Sequence, residues 1–397
     1  MLHRFTLLLV AAVVAGCERP PVEVPVAPGA TLPLTDRPGW AQRRQRLLAR
    51  VPQVERAVDA AVRKEGYIGA AAAVVVDGQL LWGRGYGRQS IRGGGPIDPR
   101  SVFRVGSVTK VITAMAILRL RDEGRLELDR PAAVWIPEFD AVRAPTADSG
   151  PITLRQLLTH TAGLPKEAPF AYGPRGDGGP SEGEVVAGLD GLALAAVPGT
   201  KHIYANYGYA LLGLIVGRAS GMRYRDYVDT YLLAPLGMQD SRWDRDAVPE
   251  GQQTAGHRGP GGGREPGPDW EMGAAEGMGG LYASLDDLVR FAAFQMSAWP
   301  PGTRPDLEPL RNASLRESHR LAGFQALNRQ GTGIGWGVAQ KAGSAVAFHA
   351  GETGTYSATV TLHLDRRLAF VTLANCPCSA ALSRVEAQML SALSPAL

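Results

Sequence analysis

The stretch Phe103–Lys110, F-R-V-G-S-V-T-K, runs directly into the apolar segment V-I-T-A-M-A-I-L-R-L, and its reading decides the fold. A helix that starts near Ser107 puts Ser107 and Lys110 one turn apart on the same face, their side chains about 5–6 Å from each other. A hydroxyl and an amine then share one small site. At the first turn, free backbone N–H groups and the positive end of the helix dipole favour an oxygen that is gaining negative charge. One turn deeper, burial lowers the lysine pKa and frees its lone pair to take a proton. The pair amounts to an activated nucleophile without a histidine base. Because S-x-x-K is a common spacing on helices, the rest of the chain has to supply its context.

The 397 residues, 45% of them hydrophobic, are enough for a large core in one domain or two interleaved ones. A formal net charge of +4 with no basic stripe between aromatics argues against nucleic acid as a partner. The N-terminus reads M-L-H-R, then an apolar run from Phe5 to Ala15, then V-A-G-C ending at Cys17. That run is too short to cross a bilayer and describes an export signal. Its last four residues resemble a bacterial lipobox, which implies cleavage before Cys17, a lipid on the Cys17 thiol and a periplasmic, membrane-anchored protein. An ordinary signal peptide that contains a cysteine is the alternative. Residues 17–39 are proline-rich and suit a stiff tether, leaving 40–397 as the folded domain. Cys376 and Cys378 read as structural thiols, with a disulfide between them, closing a small ring, as the second option.

From Trp40 to about Glu65 the spacing of Leu47, Leu48, Val51, Val54, Val58 and Val62 is helical, restarting near Pro52, with the arginines as a solvated face. A-A-A-V-V-V, Asp77-Gly78 and Q-L-L-W-G-R-G-Y-G make a hairpin. The Ser107 helix runs to about Glu123, stopped by Gly124. Ile152–Pro165 is a short helix capped by Thr153, and His160 near its end reads as a capping or packing residue. Lys166–Gly183 and Val248–Trp270 are Gly/Pro-rich surface loops. Tyr204–Asn206 precedes an apolar helix over about Tyr207–Ala219, and Ser284 with Asp287 opens another. Thereafter G-I-G-W-G-V, A-V-A-F-H-A-G, Y-S-A-T-V-T-L-H-L and L-A-F-V-T-L-A-N are strand-like, before a closing helix. The economical arrangement is an α/β fold: strands from both ends of the chain form one antiparallel sheet, with a helical lobe over roughly 101–324 between them. Gly331, Gly333, Gly335 and Gly337 lack the strand-then-helix order of a dinucleotide loop.

Four segments, F-R-V-G-S-V-T-K, I-T-L-R-Q-L-L-T-H-T-A-G-L-P, P-G-T-K-H-I-Y-A-N-Y-G-Y and H-A-G-E-T-G-T-Y, in this order and spacing, resemble the serine β-lactamase and penicillin-binding protein superfamily in its class C branch. The resemblance runs from about Val54 to the C-terminus. It implies that Ser107 is acylated, that Lys110 takes its proton and that Tyr204 completes the acid/base pair, its phenolate favoured by neighbouring cations. Asn206 would hold both Lys110 and a substrate carbonyl; Y-A-N as a turn with Asn as a cap is the bland reading. His349-Ala350-Gly351 stands where the family often has K-T-G on an edge strand. Gly351 would let substrate backbone approach, and the N–H of Glu352, paired with that of Ser107, would form an oxyanion hole. Histidine for lysine and alanine for threonine weaken carboxylate recognition, a pattern similar to D-aminopeptidases, D-peptidases and esterases of the superfamily.

These readings converge on an exported serine hydrolase acting through an acyl-enzyme on small-molecule or peptide substrates, either D-residue peptides or small esters. A class C-type β-lactamase and an acyl-accepting sensor without turnover are the alternatives. No metal or organic cofactor is implied, since no H-E-x-x-H and no clustered His/Cys/Asp set is present.

Overall fold

A computed structural model describes residues 39–172, 176, 178–258, 265–302, 305–323, 330–341 and 343–397. The expected export signal, the expected lipidation at Cys17 and the expected tether up to residue 38 lie outside the described residues.

Helices α1 (Trp40–Leu48) and α2 (Val51–Glu65) lead into strands β1 (Gly69–Val76), β2 (Gln79–Ser90) and β3 (Gly93–Pro96). The β1–β2 turn is the expected Asp77-Gly78, both residues at positive φ (50° and 73°), as a tight hairpin twisting the right way requires. A short strand β4 (Val102–Arg104) precedes α3 (Thr109–Asp122). Then come α4 (Leu154–Leu158), α5 (Glu182–Ala187), α6 (Asn206–Ser220), α7 (Tyr224–Val228), α8 (Ala234–Leu236), β5 (Tyr282–Ser284), α9 (Leu285–Ser297) and α10 (Asn312–Ser318). The chain closes with β6 (Gln330–Thr332), β7 (Gly337–Lys341), β8 (Ser344–Glu352), β9 (Ser357–His363), β10 (Leu368–Ala374) and α11 (Ser379–Leu393).

Among the described residues one eight-stranded sheet forms in the order β3-β2-β1-β10-β9-β8-β7-β6, each pair antiparallel. The two ends of the chain meet where β1 pairs with β10, from Ala70↔Ala374 to Val76↔Leu368. Strand β1 reads G-A-A-A-A-V-V-V and is buried along its whole length, because both faces of the sheet are covered. Ala72, Val74 and Val76 pack with Val54 and Val58 of α2 and Val385 and Met389 of α11. Ala71, Ala73 and Val75 point the other way, into the large core that holds α3, α6 and α9. The two-residue period of a strand thus serves two helical layers at once.

Several expectations are corrected. The lobe between the sheet halves is not purely helical, since β4 and β5 pair in a small sheet of their own. G-I-G-W-G-V is not one strand: residues 333–336 form the turn joining β6 to β7, with Gly335 at φ 79°. The H-A-G strand is internal in the sheet, not at its edge. Strand β7, however, stops at Gly337↔Phe348, while β8 stays paired to β9 as far as Glu352↔Ser357. His349 to Glu352 therefore overhang β7 and keep one side open for Ser107. Cys376 and Cys378 are joined in a disulfide, the option ranked second from the sequence.

The arginine face of the first helix is also not wholly solvated. Arg43 is 6% exposed; its Nη1 donates to Asp77 Oδ2 at 2.5 Å and its Nη2 to the Arg366 carbonyl. Arg367 Nε lies 3.3 Å from Asp77 Oδ1, with both side chains buried. One carboxylate at the hairpin turn is thus shared by two buried guanidiniums and ties α1 to the β9–β10 turn. Asp77→Asn keeps the shape and the turn while removing the negative charge that both guanidiniums face. The expected outcome is a loss of about 3–5 kcal/mol, the range for breaking a buried pair, read from urea unfolding; a change below about 1 kcal/mol, the worth of a surface pair, would refute the assignment.

Candidate active site

Strand β4 delivers the chain to a single 3-10 turn, Gly106–Val108, which continues into α3. This turn leaves Ser107 half-exposed at the head of a helix that is otherwise buried on nearly all sides. Lys110, one turn on, has no exposed surface. Its Nζ lies 3.0 Å from Ser107 Oγ, 2.8 Å from Asn206 Oδ1 and 2.5 Å from the carbonyl oxygen of Met278. All three partners are uncharged, so burial dominates and brings the Lys110 pKa down to about 7. The amine is thus poised to exist as a free base at neutral pH.

Tyr204 stands at the end of an extended segment just before α6. Its hydroxyl lies near enough to Ser107 for that side chain to lower its pKa, and Lys110 Nζ lies 5.1 Å from the centre of its ring. The expected stabilised phenolate is not what the environment favours. Burial pushes Tyr204 up to about 12, against a smaller lowering by the neighbouring Ser107. The amine meets the ring face and is itself shifted toward neutrality, so no strong cation faces the phenol oxygen. Tyr204 enters the site as a neutral phenol carrying a proton. Asn206 is the first residue of α6, but its side chain bonds Lys110 and, through Nδ2, the Tyr172 hydroxyl at 3.4 Å; the capping alternative is not adopted.

The overhanging end of β8 closes the other side. A Cβ on Gly351 would fall 1.9 Å from the Val105 carbonyl oxygen and 2.9 Å from the Ser107 nitrogen, so only glycine allows this approach. Gly106, at φ 52°, lies equally close, an added Cβ meeting the Glu352 nitrogen at 3.2 Å. The two peptides are stacked, bringing the N–H groups of Ser107 and Glu352 into one neighbourhood. The Glu352 carboxylate turns away, accepting from Ser379 N (3.0 Å) and Ser379 Oγ (2.6 Å) at the start of α11 and from Ser357 Oγ (3.4 Å) of β9. His349, one strand residue before Ala350, donates from Nδ1 to the Ala350 carbonyl at 2.9 Å. Burial, reinforced by nearby Lys110, holds its pKa well below the usual imidazole value, so it is uncharged at neutral pH.

The structure therefore brings Ser107, Lys110, Tyr204, Asn206, Gly351 and the Glu352 backbone together, with His349 alongside. Reading the sequence missed Tyr172 and Trp270, whose rings meet edge-to-face at 6.0 Å, and the Met278 carbonyl. The signal for the first two was an aromatic in each Gly/Pro-rich loop, Tyr172 beside Phe170 in one and Trp270 in the other; the carbonyl had none. His160 is 7% exposed and its ring lies against that of Tyr204, centroids 4.4 Å apart.

The family model for Beta-lactamase matches residues 54–390. The chain belongs to the beta-lactamase family. Its beta-lactamase relatives include the esterase EstB of Burkholderia gladioli, 33% identical over 316 residues, which are 70% of this chain and 76% of that one. The D-alanyl-D-alanine-carboxypeptidase/endopeptidase AmpH of Escherichia coli K12 is 31% identical over 230 residues, 57% of each chain. A beta-lactamase/D-alanine carboxypeptidase from Pseudomonas syringae superposes with TM-score 0.70 over 86% of this chain and 99% of its own at 19% identity, a likeness of fold. This beta-lactamase-family chain is a hydrolase of the serine type.

The Gly351 contact yields a direct test. Gly351→Ala forces the β8 end off the Ser107 turn and separates the two N–H groups, so the rate of Ser107 labelling by a fluorophosphonate is expected to fall at least about 10²-fold, as for loss of one oxyanion donor. Labelling at the wild-type rate in a folded Gly351→Ala chain would show that the stacked peptides do not serve the reaction.

Proposed function

We propose that the protein is an exported, lipid-anchored hydrolase that transfers the acyl group of a small neutral ester, and less readily of an amide, to Ser107 and then to water. The observation that carries this reading is the buried Lys110 amine 3.0 Å from Ser107 Oγ, bonded to neutral oxygens only. The N-terminal V-A-G-C supports the anchor, and the EstB likeness supports an ester substrate.

In the proposed cycle Lys110 Nζ takes the Ser107 proton as Oγ adds to the substrate carbonyl. The oxyanion is met by the N–H groups of Ser107 and Glu352. As the tetrahedral adduct collapses, the Tyr204 phenol gives its proton to the departing alkoxide and is restored from the Lys110 ammonium. Water then adds to the acyl-enzyme, losing its proton to the same pair, and Ser107 leaves reprotonated. An uncharged His349 and an alanine at 350 offer a substrate carboxylate neither a cation nor a hydroxyl, which is why a neutral ester fits better than a peptide C-terminus or a β-lactam.

Two measurements test this. Lys110 must be unprotonated to act, and its pKa is lowered to about 7; kcat/KM for a chromogenic short-chain ester should rise about tenfold per pH unit below that value and level off above it. A profile flat from pH 5 to 9 contradicts the amine as base. In the second, wild type and Ser107→Ala are compared on that ester, a D-alanyl-D-alanine peptide and a chromogenic cephalosporin. Turnover of the ester, lost in Ser107→Ala, is expected; one burst without turnover indicates an acyl-accepting sensor, and preference for either of the other two substrates overturns the ester assignment.

A further inference from the structure

His160 is joined to the Tyr204 segment at three points. Its carbonyl accepts from Ile203 N at 2.8 Å, its ring Nδ1 accepts from Ala205 N at 3.1 Å, and its ring face lies on the Tyr204 ring, tilted by 33°. One residue thus takes the N–H groups on both sides of Tyr204 and packs against the side chain between them. Offering carbonyl and ring to the same extended segment requires an unusual backbone, and His160 sits at φ 58°, in the left-handed region that few residues other than Gly, Asn, Asp and His enter. The α4 helix, which ends two residues before it, is itself held to α6, since Tyr209 donates from its hydroxyl to the Leu158 carbonyl at 2.8 Å. Because Nδ1 is an acceptor, the ring is the neutral tautomer with its proton on Nε2. Burial and the neighbouring Lys110, His202 and His349 all oppose its protonation.

We propose that His160 is a positioning residue: it fixes residues 203–205 and thereby holds the Tyr204 hydroxyl on Ser107. The inference rests on the hydrolase reading above. It goes beyond packing, because packing needs the ring's bulk, whereas positioning needs an acceptor on the side-chain γ carbon. That difference is testable, since Asn carries its amide oxygen on the same γ carbon as Nδ1 does and tolerates positive φ, while Gln carries its polar atoms one bond further out.

The experiment uses the full chain and a chromogenic ester, with thermal melts confirming that each variant is folded. His160→Gln is expected to lower kcat about 10²-fold with KM little changed, the scale of a displacement of about 1 Å in a reacting group. His160→Asn is expected to regain at least about tenfold of that loss. In a Tyr204→Phe background either substitution should add less than about twofold, because residues acting through one group are not additive. Equal losses in the Asn and Gln variants, or the same loss with and without the Tyr204 hydroxyl, overturn the proposal. Should His160→Gln fail to fold, the cycle of His160→Asn with Tyr204→Phe decides by the same criterion. Fluorophosphonate labelling separates the two levels: a wild type that never labels at Ser107 removes the hydrolase reading, whereas equal labelling rates in wild type and His160→Gln remove only the role of His160.

Discussion

Lys110 Nζ lies 3.0 Å from Ser107 Oγ inside a side chain with no exposed surface, so its ammonium form has lost its water and gained only neutral oxygens in return. A buried ammonium is paid for elsewhere in most proteins by a carboxylate; here its three hydrogen-bond acceptors are a hydroxyl, an amide and a backbone carbonyl. They are enough to orient the amine and too weak to hold it charged. The site's chemistry follows from that imbalance: a neutral amine at working pH is a base, and it needs a hydroxyl within reach and a second proton carrier nearby. Burial acts in opposite directions on the two partners, lowering the amine toward about 7 and raising the Tyr204 phenol to about 12. Both therefore rest uncharged, the pairing that desolvation favours.

Keeping that amine in place is a matter of topology. Asn206 is 96 residues from Lys110 and Met278 is 168 away. The β8 end approaches the Ser107 turn from the far end of the chain, yet belongs to the sheet that β1 joins near its beginning. The site can be complete only when the sheet has closed across β1 and β10 and the α3–α6–α9 core has packed against it. Gly351 marks the tightest point of that closure, where no side chain would fit between strand and turn. The short β7 is as much a part of the design as the close approach, because a longer β7 would cover the side of His349–Glu352 left open.

Much of this was legible in the chain. The Asp77-Gly78 turn, the Ser107–Lys110 spacing, the Thr153 cap and the Y-A-N entry to α6 each depend on residues near one another in sequence, where propensity and spacing act directly. The features that escaped depend on distant partners. Arg43 reads as one more solvated arginine until Asp77 and Arg367 are brought to it. The open side of β8 depends on where β7 stops, a matter of register. The protonation of Tyr204 was misjudged because adjacency to a lysine suggests a cation, whereas the folded site buries that lysine and moves its pKa down as well. Tyr172 and Trp270 lie in loops whose paths are set by what they pack on.

The neutrality of the pocket also bears on what can enter it. A substrate carboxylate arriving beside Ala350 would shed water without meeting a fixed cation among the described residues, and an uncompensated charge in such a place is costly. Arg104 does not relieve this, because its guanidinium is buried beneath the site, with its Nη1 donating to the Trp270 carbonyl at 2.5 Å and its Nε to that of Gly279 at 3.3 Å. A neutral acyl group meets no such penalty and finds the rings of Tyr172 and Trp270 as apolar surface. Tyr172 also donates nothing to Ser107 directly; it accepts from Asn206, so movement of that loop would reach the amine through one amide. On the proposed reading, selection for neutral substrates and maintenance of a neutral base are two consequences of a single condition, the absence, among the described residues, of a compensating charge around the hydroxyl that reacts.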